Sequence, residues 1–221
     1  MNGGIVELTP DEISRCVDFS EKSAKTQQKI EFGERRTTER RTAEIARDNM
    51  IGKMAEVAFA KIMETYGVKV DLDFNIYPRG SWDDQDALIN KWRIDIKGSR
   101  EGARWLLIDW NKLAFRQKDN NLSHAYIMFT VGWDRNSDKP MGWVRFEGVA
   151  SLQKLRAGCS TTHILNRGDF IPGTKMRLMA DNFGIRFSDL SKNLDGFVEY
   201  ILKNEPPSKL TEDFRLPNIT R

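Results

Sequence analysis

The stretch WRIDIKGS, residues 92–99, sets the terms for the whole chain. Read as a β-strand, its side chains alternate between two faces. Trp92, Ile94 and Ile96 fall on one face, and Arg93, Asp95 and Lys97 on the other. A strand with a well-made apolar face thus carries an acid and a lysine on its opposite side. One reading is a solvated face with a weak ion pair. The other is a site that needs a carboxylate and an ammonium held rigidly together.

Upstream, Asp86-Ala-Leu-Ile89 reads as a short strand, and Asn90-Lys91 as a tight turn, so 86–97 reads as a hairpin. That turn sets Ile89 opposite Trp92 and Asp86 opposite Asp95. Directly opposed like charges repel, and a sheet needs compensation for them. A divalent cation would supply it. Mg²⁺ or Mn²⁺ prefers carboxylate oxygen and is commonly held by one or two carboxylates, with water and substrate phosphate completing the shell. Lys97, two residues on and on the same face, would orient an attacking water or offset negative charge growing on phosphorus. A shift in the strand boundary would put Asp83 or Asp84 in the place of Asp86.

Further upstream, residues 37–66 read as a helix whose positions Ile51, Met54, Ala55, Ala58, Phe59 and Ile62 form one buried face. Gly67 would end it. Glu56 lies beside that stripe in GKMAEVAFAKI, where a lone acid needs a partner or an edge. It is a further candidate at the metal. An earlier helix over 10–31 opens with Thr9 as N-cap and Pro10 at the first helical position. VKVDLDFNIY (68–77) alternates like a strand. Residues 105–110, 125–133 and 142–150 are further strand candidates. Residues 151–157 begin a helix, 167–179 form a loop with a possible short strand, and 190–204 form a last helix.

Asp95-Ile96-Lys97 is the only acid-x-lysine triplet in the sequence. Such a triplet carries little alone. Here it lies on an apolar-flanked strand, after an acid at the start of the paired strand and a helix-borne glutamate. The order Glu56, Asp86, Asp95, Lys97 resembles the PD-(D/E)xK nuclease superfamily, which includes many restriction endonucleases. The resemblance covers roughly residues 45–135. One departure is Gln85, where the motif has proline. The resemblance implies an α/β (α+β) fold, a restriction-endonuclease-like mixed central sheet flanked by helices. It also implies Mg²⁺-dependent phosphodiester cleavage, with Mn²⁺ as a substitute. Asp86 and Asp95 would hold the metal, Glu56 would support it or a second ion, and Lys97 would handle the water.

The sequence has 221 residues, 30% of them charged, and a formal net charge of +3. These values describe one ordinary globular domain. We read 1–36 as a helical N-terminal extension, 37–150 as the catalytic core and 151–221 as a C-terminal elaboration. No apolar run approaches the roughly 18 residues needed to span a bilayer. MNGGIVELTPDEI lacks the basic and apolar regions of a secretory leader. Cys16 and Cys159 stand far apart without metal-ligand spacing, so a reduced cytoplasmic setting is expected.

Residues 20–53 carry nine Lys/Arg against six Asp/Glu, which suggests either a solvated helix or a polyanion surface. Lys53, Ser99, Arg100 and Arg104 are candidates for the phosphate backbone, with Gly98 and Gly102 allowing its close approach. Of six tryptophans, Trp82, in a polar loop, is the candidate for stacking on a base. The expected partner is DNA, in duplex form, with the chain acting as a homodimer. His124 and His163 show no partner spacing, and no nucleophile elbow, P-loop or dinucleotide glycine pattern occurs. A structure-selective or single-strand nuclease, in repair, mobile-element or antiviral work, is the nearest alternative. A non-catalytic nucleic-acid-binding module is the more distant one.

Overall fold

The computed structural model describes residues 4–27, 42–77, 86–155 and 159–216. Its elements are β1 (Ile5–Glu7), α1 (Pro10–Gln27), α2 (Thr42–Glu64), β2 (Ala87–Ile89), β3 (Trp92–Arg100), β4 (Trp105–Asp109), α3 (Trp110–Lys118), β5 (Ala125–Asp134), β6 (Lys139–Ser151), β7 (Thr162–Leu165), β8 (Asn182–Arg186), α4 (Leu194–Lys203) and α5 (Lys209–Glu212). The architecture is mixed α/β. A five-stranded sheet runs β1-β6-β5-β3-β2, and a three-stranded sheet runs β4-β8-β7. All residues of β5 up to Trp133 are buried, as in a central strand covered on both faces. No helix among the described residues is long and apolar enough to cross a membrane.

The chain divides into two compact units that interleave in sequence. The first comprises 1–87, 96–103 and 129–146. α1 begins and α2 ends where local chemistry says they should. The Thr9 N–H donates to Glu12 Oε2 at 2.7 Å and the Glu12 N–H donates back to Thr9 Oγ1 at 3.3 Å, closing a capping box at α1. At the end of α2, Gly67 takes φ +73°, and the amides of Gly67 and Val68 donate to the carbonyls of Glu64 and Met63. That is a Schellman closure, which only a residue tolerant of positive φ makes cheaply. α1 lies along α2, tied by Lys61–Glu12 at 2.9 Å and Asn49–Ser23 at 3.1 Å. α2 buries Met54, Ala55, Ala58, Phe59, Ile62 and Met63.

Two expectations fail in this unit. Residues 68–77 pair with no strand. Their alternation is real, since Val70, Leu72 and Phe74 line a groove with Val57 and Ala60 of α2 and Arg15 of α1. The face is half-buried against helices, however, and an Asx turn in which Asp73 accepts from the Asn75 amide at 2.7 Å competes with ladder formation. The second concerns Gly98. It belongs to β3, not to a phosphate-binding loop. A Cβ there would lie 2.6 Å from the Ile51 carbonyl oxygen, so the missing side chain lets α2 back onto the strand.

The second unit comprises 88–95, 104–128 and 147–221. Asn90 and Lys91 both have positive φ, 45° and 67°, as a two-residue hairpin turn requires. The Asn90 amide then donates to the carbonyls of Ile201 and Asn204 at 2.9 and 3.1 Å, satisfying exposed acceptors at the end of α4. α3, which the sequence pattern does not announce, is capped by Asp109, whose Oδ1 accepts from the Asn111 and Lys112 amides. β7 and β8 are also unannounced. β8 pairs antiparallel with both neighbours, Phe183 facing Ile108 of β4 and Ile164 of β7. Residues 152–154 form a single 3-10 turn rather than a longer helix. Around 167–179 only an isolated bridge, Phe170 with Arg177, forms.

Candidate active site

β3 carries the acid-x-lysine triplet as expected, but its polar face is not open to water. Asp95 is 4% exposed. Lys97 is partly buried. In the first unit, Asp86 stands just before β2 and its Oδ2 accepts the backbone N–H of Ile96 at 2.5 Å. Ile96 is the residue between Asp95 and Lys97. The side chain of Asp86 is thereby aimed at the backbone of the triplet.

In the second unit, Asp95 Oδ2 accepts from Arg116 Nη1 at 2.8 Å. The same Nη1 donates to Ser123 Oγ at 2.8 Å. Arg116 comes from the last turn of α3. Tyr126 is fully buried in this group. Burial, and then the Asp95 carboxylate, push its phenol well above the ordinary tyrosine range.

Glu56 lies in the first unit on α2. Its Oε2 accepts from Lys53 Nζ at 2.5 Å. Lys53 also donates to the Asp73 carbonyl at 2.7 Å and sits over the rings of Phe19 and Phe74. This overturns Lys53 as a phosphate contact: the ammonium is buried and committed inside the unit. The Cys16 thiol behind it is pushed up to about 12 by burial, so it is an inert core residue.

Of the other candidates, Ser99 is partly buried in β3, with its hydroxyl making no hydrogen bond to a described residue. Arg100 and Arg104 are exposed. Trp82, the alternatives Asp83 and Asp84, and the arginines at 35–41 lie outside the described residues. His124 is buried, and its Nδ1 accepts the Arg93 amide at 2.9 Å. Burial, and then the Arg93 guanidinium, lower its pKa to about 4.

Asp86 and Asp95 each offer carboxylate oxygen, the donor type that a hard cation takes. Among the described residues, no three His, Cys, Asp or Glu side chains gather as a metal-holding group. Glu56 is engaged by Lys53 and is not brought into such a set. Each acid is also engaged within its own unit, Asp86 by the Ile96 amide and Asp95 by Arg116. Sequence reasoning missed Arg116 altogether. The i,i+3 spacing of Lys53 and Glu56 on one helix was a signal for their pairing. The chain matches no family model, no curated protein and no solved structure.

Proposed function

We propose that this chain is a metal-dependent endonuclease of the restriction-enzyme-like kind, cleaving phosphodiester bonds in duplex DNA. The observation that carries the reading is the bond from the Ile96 amide to Asp86. It directs a second carboxylate to the backbone of the one acid-x-lysine triplet in the sequence. Asp86 and Asp95 would hold Mg²⁺, or Mn²⁺ in its place. When bound, such an ion supplies Lewis-acid stabilisation of phosphoryl oxygen and a bound water of lowered pKa. Lys97 orients the attacking water and offsets charge on phosphorus. Glu56, held by Lys53 on α2, is left outside this metal set and serves the packing of the first unit. Arg100 and Arg104 are positioned by exposure to meet the backbone. Cutting both strands calls for two copies of the chain, which sedimentation on DNA would detect.

A second reading has its own support. Glu56 and Asp95 both sit in ion pairs, as they would in a non-catalytic nucleic-acid-binding module. Supercoiled plasmid with Mg²⁺ or Mn²⁺ separates the two, beside EDTA and the variants Asp95→Ala and Lys97→Ala. The nuclease reading expects cutting that EDTA and Asp95→Ala abolish, and that Lys97→Ala slows by at least about 100-fold while DNA affinity holds. Discrete fragments would mark a sequence-specific enzyme. Nicking, or a preference for single strands, would mark a structure-selective one. Metal-independent, steeply salt-dependent binding without product would establish the module instead.

A further inference from the structure

The chemistry just described leaves one partly buried charge without a role. Arg116 lies in the last turn of α3, and its Nη1 serves two acceptors, Asp95 Oδ2 and Ser123 Oγ, each at 2.8 Å. Ser123 is 1% exposed, so the guanidinium is anchored on a fixed group rather than on a mobile surface side chain. An Nη nitrogen has two hydrogens, and each finds one of these acceptors. Orientation of the guanidinium is therefore fixed, and it fixes the carboxylate that accepts from it. α3 itself is held at its start by the Asp109 cap and, near its end, by Gln117, whose side-chain amide donates to the Phe214 carbonyl at 2.9 Å.

We infer that Arg116 is a positioning residue for Asp95, setting the carboxylate's orientation toward the divalent cation. The inference rests on the nuclease reading of Asp95. Partners that orient a metal-ligating carboxylate from behind commonly matter for affinity about 10- to 100-fold. Charge and orientation pull in opposite directions here. A guanidinium beside a ligand repels a second cation, so on charge alone its removal would tighten metal binding. On orientation, its removal weakens binding. The sign of the effect decides between them.

The test uses the full chain and Mn²⁺ alone, with free Mn²⁺ followed by electron paramagnetic resonance. The variants are Arg116→Gln, Arg116→Lys and Ser123→Ala, each checked for fold by circular dichroism. Arg116→Gln is expected to weaken Mn²⁺ binding about 10- to 100-fold and to raise the Mn²⁺ concentration for half-maximal plasmid cleavage in step, with a smaller change in rate at saturating Mn²⁺. Arg116→Lys restores part of the affinity. Ser123→Ala keeps the charge but frees the guanidinium, and weakens binding several-fold; with Arg116→Lys it carries the test if Arg116→Gln does not fold. Wild-type or tighter Mn²⁺ binding in folded Arg116→Gln, beside a wild type that binds and cuts, overturns the inference alone. A wild type that neither binds Mn²⁺ nor cuts overturns the nuclease reading and the inference with it.

Discussion

Glu56 in the first unit, partly buried, and Asp95 in the second, buried, are both acids held by a basic side chain, but the pairs are built differently. Lys53 and Glu56 are three residues apart on one helix, with side chains 6% and 15% exposed. Arg116 reaches Asp95 from a different element 21 residues away, and their side chains are 20% and 6% exposed. In the first pair the cation is the deeper partner, with a backbone carbonyl and two aromatic rings also engaging it. In the second the acid is the deeper partner and the cation lies nearer to water. The first pair therefore behaves as part of a core. The second holds a buried acid on a strand with a countercharge that water can reach, which is an arrangement a reacting site can use.

The greatest loss is expected at Lys53. Lys53→Met strips Glu56 of its countercharge and the Asp73 carbonyl of its donor, and should cost about 3–4 kcal/mol in urea unfolding. Lys53→Met combined with Glu56→Leu should return to within about 1 kcal/mol of wild type, because the packed volume survives and no buried charge is left behind. A single variant costing under about 1 kcal/mol would place this pair in effectively solvated surroundings, and the contrast with Asp95 would collapse.

Arg116→Met should cost less, about 2 kcal/mol, since water can reach part of the site that the guanidinium leaves. Its effect on metal-dependent cleavage should nevertheless exceed that of Lys53→Met, compared at equal fractions of folded protein. Equal losses of activity would mean that Glu56 stands as close to the chemistry as Asp95 does.

The same contrast explains what could be read from the sequence. The N-cap at Thr9, the closure at Gly67, the turn at Asn90-Lys91 and the triplet on β3 are each specified within a few residues. Each is found in the fold. Residues 68–77 have the strand period without a strand neighbour, because periodicity reports a buried face and not what covers it. α3 is hidden because Leu113 is its only buried residue, which gives no stripe to detect. β7 and β8, four and five residues long, carry too little alternation to stand out. Arg116 was out of reach for a related reason: its meaning comes from a strand 21 residues earlier. The acids of the candidate site were legible, and the residues that hold them in place were legible only when local.

The smallest effect concerns pH and separates the ion pairs from a neighbouring buried base. His124 accepts the Arg93 amide through Nδ1, so its ring proton lies on Nε2, and the Arg93 guanidinium stands beside it. Its folded pKa, about 4, lies below the 6.5 of the unfolded chain. The unfolded state therefore binds the extra proton first. Stability is complete above about pH 6.5 and falls as pH drops toward 4, by roughly 1–2 kcal/mol between pH 7.5 and 5. Carboxylates with lowered pKa, Glu12 and Asp73 among them, lose their share as pH falls from about 5 through the ordinary carboxylate range and below it. Among the described residues, the window above pH 5 thus belongs to the histidine. His124→Gln should flatten the slope of urea stability there, at some cost in stability at pH 7.5. An unchanged slope in that variant would move the acid sensitivity to another group and remove His124 from the account of the second unit.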